Sequence, residues 1–169
     1  MEVRDLVLKN RSYRRFHQEI SIEMEELKQL VDLGRLSGSG KNVQPLKYFL
    51  SCTPGSNEVI FSHLMWAICL KDWAGPVEGE KPSAYIVVLG DRNIQQNFGC
   101  DYGIAAQSIL LGAIEKGLGG CMFGSIQREK LREALSIPEQ YDVLMVIALG
   151  KPKETIEIEA VQADGKIEY

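Results

Sequence analysis

The chain has 169 residues, 45% of them apolar and 25% charged, with a formal net charge of −4. It is long enough for one domain with a real core, and the acidic balance excludes the electrostatic signature of a nucleic-acid or anionic-membrane binder. The opening, MEVRDLVLKNRSYRRF, carries no apolar signal core, so a cytoplasmic protein is expected. Cys52, Cys69, Cys100 and Cys121 have no CxxC spacing and sit in apolar contexts, so they read as reduced, buried thiols. With only His17 and His63 and no HxH, HxxxH or HExxH arrangement, no zinc site is expected.

Residues 2–9 read as a short helix with Val3, Leu6 and Val7 on one side. The cluster Arg11–Ser12–Tyr13–Arg14–Arg15–Phe16 follows. It is either a solvated basic turn or a phosphate site, since arginines and a hydroxyl can converge on one phosphate through charge-assisted bonds. Ser21 is the expected N-cap of a helix running to about Leu36, with Glu23, Glu25 and Glu26 at the positive end of its dipole. Leu27, Leu30, Val31 and Gly34 form its inward face.

Ser37–Pro45 is a polar, glycine-rich loop. It lacks the G-x-x-x-x-G-K-[ST] spacing and follows a helix rather than a strand, so it is not a nucleoside-triphosphate loop. Ser39, Asn42 and Gln44 offer hydroxyl and amide groups suited to the edge of a heterocycle; the plainer alternative is a solvated loop.

Lys47–Thr53 reads as a strand, Pro54–Gly55–Ser56 as a turn, and Val59–Leu70 as an apolar helix. Val77–Pro82 is an acidic surface loop. Trp66 and Trp73 read as core or interface aromatics, or as the border of a pocket. Ala84–Gly90, continuous and β-branched, is a strand covered on both faces.

Asp101–Ser125, DYGIAAQSILLGAIEKGLGGCMFGS, is the stretch around which the chain is organised. Its first part is a helix with almost no polar face, hence buried, and too short and too broken to span a bilayer. Gly117 is its natural C-cap. Gly119–Ser125 is a short strand with glycines at both ends, which permit close approach of a ligand or another chain. Glu129–Leu135 is a surface helix begun near Gln127. Asp142–Gly150 is a second buried strand. In Thr155–Val161, apolar residues alternate with glutamates, giving an edge strand or an arm onto a partner subunit. One domain over 1–169 is the economical reading, with helices around a sheet and 153–169 as a C-terminal arm.

Three segments together resemble the FMN-dependent nitroreductase family. Arg11–Ser12–Tyr13–Arg14–Arg15–Phe16 is similar to its R-R-S-x-R-x-F. Ser39–Gly40–Lys41–Asn42–Val43–Gln44–Pro45 is similar to its P-S-x-x-N-x-Q-P-W. Gly117–Ser125 is similar to its G-L-G-x-x-x-x-G strand, and Gly150–Lys151–Pro152 falls in the expected place. The resemblance implies an α+β, nitroreductase-like fold, with a central mixed β-sheet flanked by helices, that binds FMN at a homodimer interface. It implies oxidoreductase activity: electrons pass from NADH or NADPH through the flavin to a nitroaromatic, quinone or similar small acceptor, in a ping-pong route. The alternative function is a flavin-binding redox sensor or a non-catalytic homodimer. A related flavin enzyme with other chemistry is a third reading.

Carried over by position, Arg11, Ser12 and Arg14 would hold the phosphate and ribityl chain. Ser39, Asn42 and Gln44 would contact the ribityl chain and the ring. Met122, Phe123, Gly124 and Ser125 would line the flavin, with a backbone N–H facing N5. The chemistry is consistent: a dianionic phosphate needs cations and hydroxyls, and the cofactor carries the hard step while the protein orients and tunes it. Neither a catalytic side chain nor a metal is then required. The chain departs from the pattern at Asn10, where the family has its first arginine, and at Gly38 and Leu46. It also ends at Tyr169, with nothing basic after Lys166, where many relatives carry a late Lys/Arg pair on the phosphate.

Overall fold

The computed structural model describes residues 1–67, 70, 72–161, 163 and 165; Cys69 and Lys166 lie outside them. The elements run α1 (Val3–Lys9), α2 (Met24–Arg35), β1 (Leu46–Ser51), α3 (Pro54–Phe61), β2 (Ala84–Asp91), α4 (Asp101–Glu115), β3 (Gly119–Phe123), α5 (Arg128–Ala134) and β4 (Tyr141–Gly150), with a 3-10 turn at Gly40–Asn42. No helix among the described residues is long and apolar enough to cross a membrane.

The four strands form one sheet in the order β1-β2-β4-β3. Every neighbouring pair is antiparallel, so the expected mixed sheet is corrected. Among the described residues, the one parallel pairing is an isolated bridge between Ser12 and Gly120 on the outer edge of β3. β2 and β3, joined through α4, run in the same direction, but β4 lies between them and pairs antiparallel with both.

β2 is buried at all eight positions, as its unbroken apolar run requires. Its alternate residues enter two different cores. Tyr85, Val87 and Leu89 join Val146 and Ala148 of β4 and Cys121 and Phe123 of β3 in an aromatic-rich cluster with Phe16, Trp66 and Leu131. Ala84, Ile86 and Val88 join Ile147 and Leu149 against Leu27 and Leu30 of α2 and Ala106, Ile109 and Ala113 of α4. Trp66 packs edge-on against Phe123, with ring centroids 4.6 Å apart, and against Trp73 at 6.4 Å. Trp66 is thus a core aromatic, and Trp73 is half-buried against it.

α4 is the main helix of the second core. At Gly112 an added Cβ would lie 2.2 Å from Leu33 Cδ1, so the Leu33 side chain packs over the bare backbone of α4. Its C-terminus closes as expected at Gly117 (φ +74°). The Gly117 N–H donates to Ile114 O and the Leu118 N–H to Ala113 O, each at 2.9 Å, the two bonds of a Schellman end. Burial is not complete around the circumference: Ile104 is 42% exposed, so one stripe of α4 reaches the surface.

Several boundaries differ from expectation. α2 begins at Met24 with Glu23, not Ser21, as its cap: the Glu23 side chain takes an N–H from the first turn, and Glu26 Oε2 takes the Glu23 N–H at 3.1 Å. This reciprocal pairing satisfies two orphan donors. The expected turn at Pro54–Ser56 is instead the first turn of α3, since proline at the first helical position gives up no needed donor. α3 stops at Phe61 rather than continuing to Leu70, because the following backbone pairs elsewhere: Leu64 bridges Ile126, and the Met65 N–H donates to Ser125 O at 3.1 Å. β1 covers Leu46–Ser51, slightly ahead of its expected span. The described part of Thr155–Val161 forms no strand.

Two substitutions test this packing. A Cβ at Gly120 would sit 2.5 Å from Ala148 O and 2.7 Å from Leu110 Cδ2, so Gly120→Ala should destabilise by about 2 kcal/mol or more in a urea titration. Ile109 is fully buried, and Ile109→Glu should abolish cooperative unfolding, because it buries an unpaired charge.

Candidate functional site

β3 is an edge strand, and the basic segment is fastened to its free side. Ser12 bridges Gly120, and the Tyr13 N–H donates to Gly120 O at 3.0 Å. Phe16, fully buried, anchors the next turn of chain. The His17 N–H donates to Lys151 O at 2.8 Å and the Lys153 N–H to Arg15 O at 3.0 Å. A Cβ at Gly119 would lie 2.5 Å from the Tyr13 ring. What approaches the glycines at the start of β3 is therefore the chain's own N-terminal segment. The space beside Gly124 is different: a Cβ there would meet nothing within 4 Å.

This docking makes a groove of about 560 Å³ between Asn10, Arg11, Ser12 and Arg14 on one wall and Glu154, Ile156 and Glu157 on the other. Arg11 Nη2 donates to Val7 O at 2.9 Å, while its Nε is buried without a hydrogen-bond partner. Arg14 Nη1 donates to Ser12 O at 3.3 Å. Asn10, at the end of α1, donates from Nδ2 to Gln107 Oε1 on α4 at 3.2 Å. An orphaned guanidinium N–H, a second arginine and an exposed hydroxyl in one groove are suited to an oxyanion.

The 37–45 loop is built around a buried acid. Asp101, the first residue of α4, accepts from Ser39 Oγ at 2.7 Å and from the Gly40 N–H at 3.0 Å. The Gln44 N–H donates to Ser39 Oγ at 2.9 Å, and Gln44 Nε2 donates to Asn42 Oδ1 at 2.8 Å. Lys41, Asn42 and Gln44 all have positive φ, at 52°, 56° and 54°. Three non-glycine residues so close together in the left-handed region cost on the order of 1 kcal/mol each. The Asp101 bonds hold that conformation. Ser39 and Gln44 border a cavity of about 420 Å³ against Tyr48 and Leu50 of β1 and Val31 of α2. Burial pushes the Tyr48 hydroxyl pKa up.

The sequence-selected residues thus fall into two groups within one copy. Arg11, Ser12 and Arg14 line the groove by β3. Ser39 and Gln44 line the cavity by β1, with Asn42 hydrogen-bonded to Gln44, and the two cavities share no lining residue. On β3 the side chains alternate: Met122 is exposed, whereas Phe123 enters the aromatic core and leaves only its backbone on the open side. Asp101, Gln107 and Glu154 were not selected from sequence. Asp101 had a signal, an acid opening an otherwise apolar helix. Gln107 reads only as a break in that apolar surface, and Glu154 as one of several tail glutamates.

Cys100 is exposed and Cys52 half-buried, which corrects the expectation of uniformly buried thiols. Cys121 is buried, and desolvation pushes its thiol pKa up, against the opposing effects of the Arg14 charge and a hydrogen bond with Ser12. Because the thiolate is the reactive form, a variant retaining only Cys100 should react rapidly with a disulfide reagent at pH 8. A variant retaining only Cys121 should react only on unfolding. Asp101→Ala should cost about 1–3 kcal/mol in chemical denaturation and increase amide exchange across residues 39–44.

The nitroreductase family model matches residues 82–151, from the start of β2 to the end of β4. Solved structures extend the likeness. A nitroreductase family protein from Clostridium novyi is 24% identical, with a TM-score of 0.73 over 90% of this chain and 88% of its own. A nitroreductase-like protein of Desulfovibrio desulfuricans, solved in complex with FMN, is 22% identical, with a TM-score of 0.77 over 100% and 97%. The NADPH:FMN oxidoreductase of Vibrio harveyi, solved with NAD+, is 21% identical, with a TM-score of 0.72 over 95% and 73%. The family model thus matches the central segment of the chain, and the solved structures show that the chain as a whole has the nitroreductase-like fold.

Proposed function

We propose that this chain is an FMN-dependent NAD(P)H oxidoreductase, cytoplasmic and homodimeric, that reduces nitroaromatic, quinone or similar small acceptors by a ping-pong route. The observation that carries the reading is the Arg11–Arg14 groove. A buried Arg11 Nε without a partner, the Ser12 hydroxyl and Arg14 stand together on the edge of β3, beside the exposed Met122 and the open position at Gly124. Those groups fit FMN: cations and a hydroxyl at one end for its phosphate, an accessible strand backbone for its ring. The FMN complex of the Desulfovibrio relative and the NAD+ complex of the Vibrio oxidoreductase support the same assignment.

In this reading Arg11, Ser12 and Arg14 hold the phosphate and ribityl chain. Met122, Phe123, Gly124 and Ser125 line the ring, with backbone N–H groups of that segment as fixed donors. Bound FMN would supply the hydride-accepting and electron-transferring chemistry. Ser39 and Gln44, with Asn42 hydrogen-bonded to Gln44, belong to a different cavity of the same copy; in the homodimer of this reading, one flavin would take its phosphate contacts from one copy and these contacts from the other.

The surface is suited to such pairing. α1 has no buried residue, Val3 is 70% exposed, and Val7, Leu8 and Ile104 are exposed as well. A two-fold partner would cover α1 and the exposed stripe of α4 at once. Residues 1–169 then act as a single FMN-binding domain, with 153–169 as its C-terminal arm.

The test is a visible spectrum after incubation with FMN and desalting. A retained flavin spectrum that bleaches with NADH or NADPH is expected; a retained spectrum that neither donor bleaches overturns the reductase assignment. Arg14→Ala should weaken FMN binding about tenfold or more, the scale of one charge-assisted contact, with the unfolding midpoint little changed. Unaltered affinity would remove Arg14 from the phosphate site.

A further inference from the structure

The wall of the groove opposite the arginines is acidic, and one of its carboxylates already sits where an anion would. The Arg14 N–H donates to Glu154 Oε1 at 2.5 Å and the Arg15 N–H to the same oxygen at 3.2 Å. Two successive backbone donors converging on one oxygen make the kind of concavity that binds anions. Glu154 is carried into it by the segment after β4, which is fixed on both sides of the contact: Pro152 bridges Phe16, and the Lys153 N–H bonds Arg15 O. Glu157 lines the same wall.

The neighbouring cations do not offset these acids. Arg15 Nε lies 3.5 Å from Glu80 and Lys153 Nζ 3.6 Å from the same carboxylate, and the Arg15 guanidinium lies 5.7 Å from the centre of the Trp73 ring. Among the described residues of the groove, Arg11 and Arg14 face Glu154 and Glu157. A dianionic phosphate entering it must displace the Glu154 carboxylate from the two N–H groups or stand beside it.

We propose that Glu154 is a built-in competitor for the flavin phosphate, and that it sets which form of the cofactor the groove accepts. The inference rests on the flavin reading above. With Glu154 in place, its charge offsets part of what the phosphate gains from Arg11 and Arg14, so the preference for FMN over riboflavin, which has the same ring and ribityl chain but no phosphate, is smaller than it would be without this carboxylate. Glu154 acts on binding alone and has no role in electron transfer.

The experiment is a fluorescence titration of the full chain with FMN and, separately, with riboflavin, on the parent, Glu154→Gln and Glu154→Ala. Glutamine keeps the acceptor oxygen and removes the charge; alanine removes both. Each hydrogen bond to a charged group corresponds to about tenfold or more in affinity. Both variants should therefore bind FMN at least about tenfold more tightly than the parent, while their riboflavin affinity stays within about twofold. An unchanged FMN affinity in both variants, with flavin still bound, overturns the competitor and leaves the flavin reading standing. An equal gain for both ligands also overturns it, since the tail would then obstruct by bulk rather than charge. Failure of parent and variants to bind either ligand overturns the flavin reading itself and the competitor with it. A circular-dichroism melt of each variant confirms that the comparison is between folded proteins.

Discussion

The pairing of β2 with β4 at the centre of the sheet is the constraint on which the rest of this molecule depends. Both strands carry long apolar runs, and β2 buries every residue. Two covered faces demand two layers, and the chain supplies them unequally. Regular helices, α2 and α4, cover one face. The other receives an irregular aromatic layer of Phe16, Trp66 and Phe123 with α5. That second layer is assembled from loops and edges, so residues far apart in sequence are held by one packing problem.

The position of the candidate site follows from this. β3 is an edge strand, and an unpaired edge must be covered or paired. Here the segment 12–16 does so, with Phe16 buried in the aromatic layer. Burial of one phenylalanine thereby fixes the arginines and Ser12 beside the exposed Met122. The tail is drawn in by the same means, since Pro152 bridges Phe16 and brings Glu154 to the Arg14 and Arg15 N–H groups. A basic motif and its acidic counterpart are thus consequences of a single hydrophobic anchor.

The loop 37–45 obeys a different rule. Its left-handed residues are unfavourable alone and persist because Asp101 satisfies Ser39 and the Gly40 N–H from the start of α4. A buried carboxylate that accepts several bonds is costly to move, so the loop is held in shape before any ligand arrives. Preorganisation of this kind reduces the entropy lost on binding.

Much of the fold was legible in the residue pattern. β2, β3, β4, α4 with its Gly117 end, and α5 were placed within a residue or two, because each is a run of one periodicity bounded by glycine, proline or polar residues. The same pattern could not place α3, whose limits depend on Leu64 pairing with Ile126, or the cap of α2, where a Glu23–Glu26 exchange outweighed Ser21. It read the glycines of β3 as permitting close approach of a ligand or another chain, and two of them accommodate Tyr13, Leu110 and Ala148 of the same chain. The sequence by itself determined the chemical character of each segment: a basic cluster, a polar glycine loop, two central strands, a greasy helix. Long-range packing alone set the antiparallel pairing of every neighbouring strand, the separation of Arg11 and Ser39 into different cavities of one copy, and the position of Glu154 opposite the arginines. Those facts are distances between segments up to about 140 positions apart in sequence, and local periodicity carries no information about which distant surfaces burial will bring together.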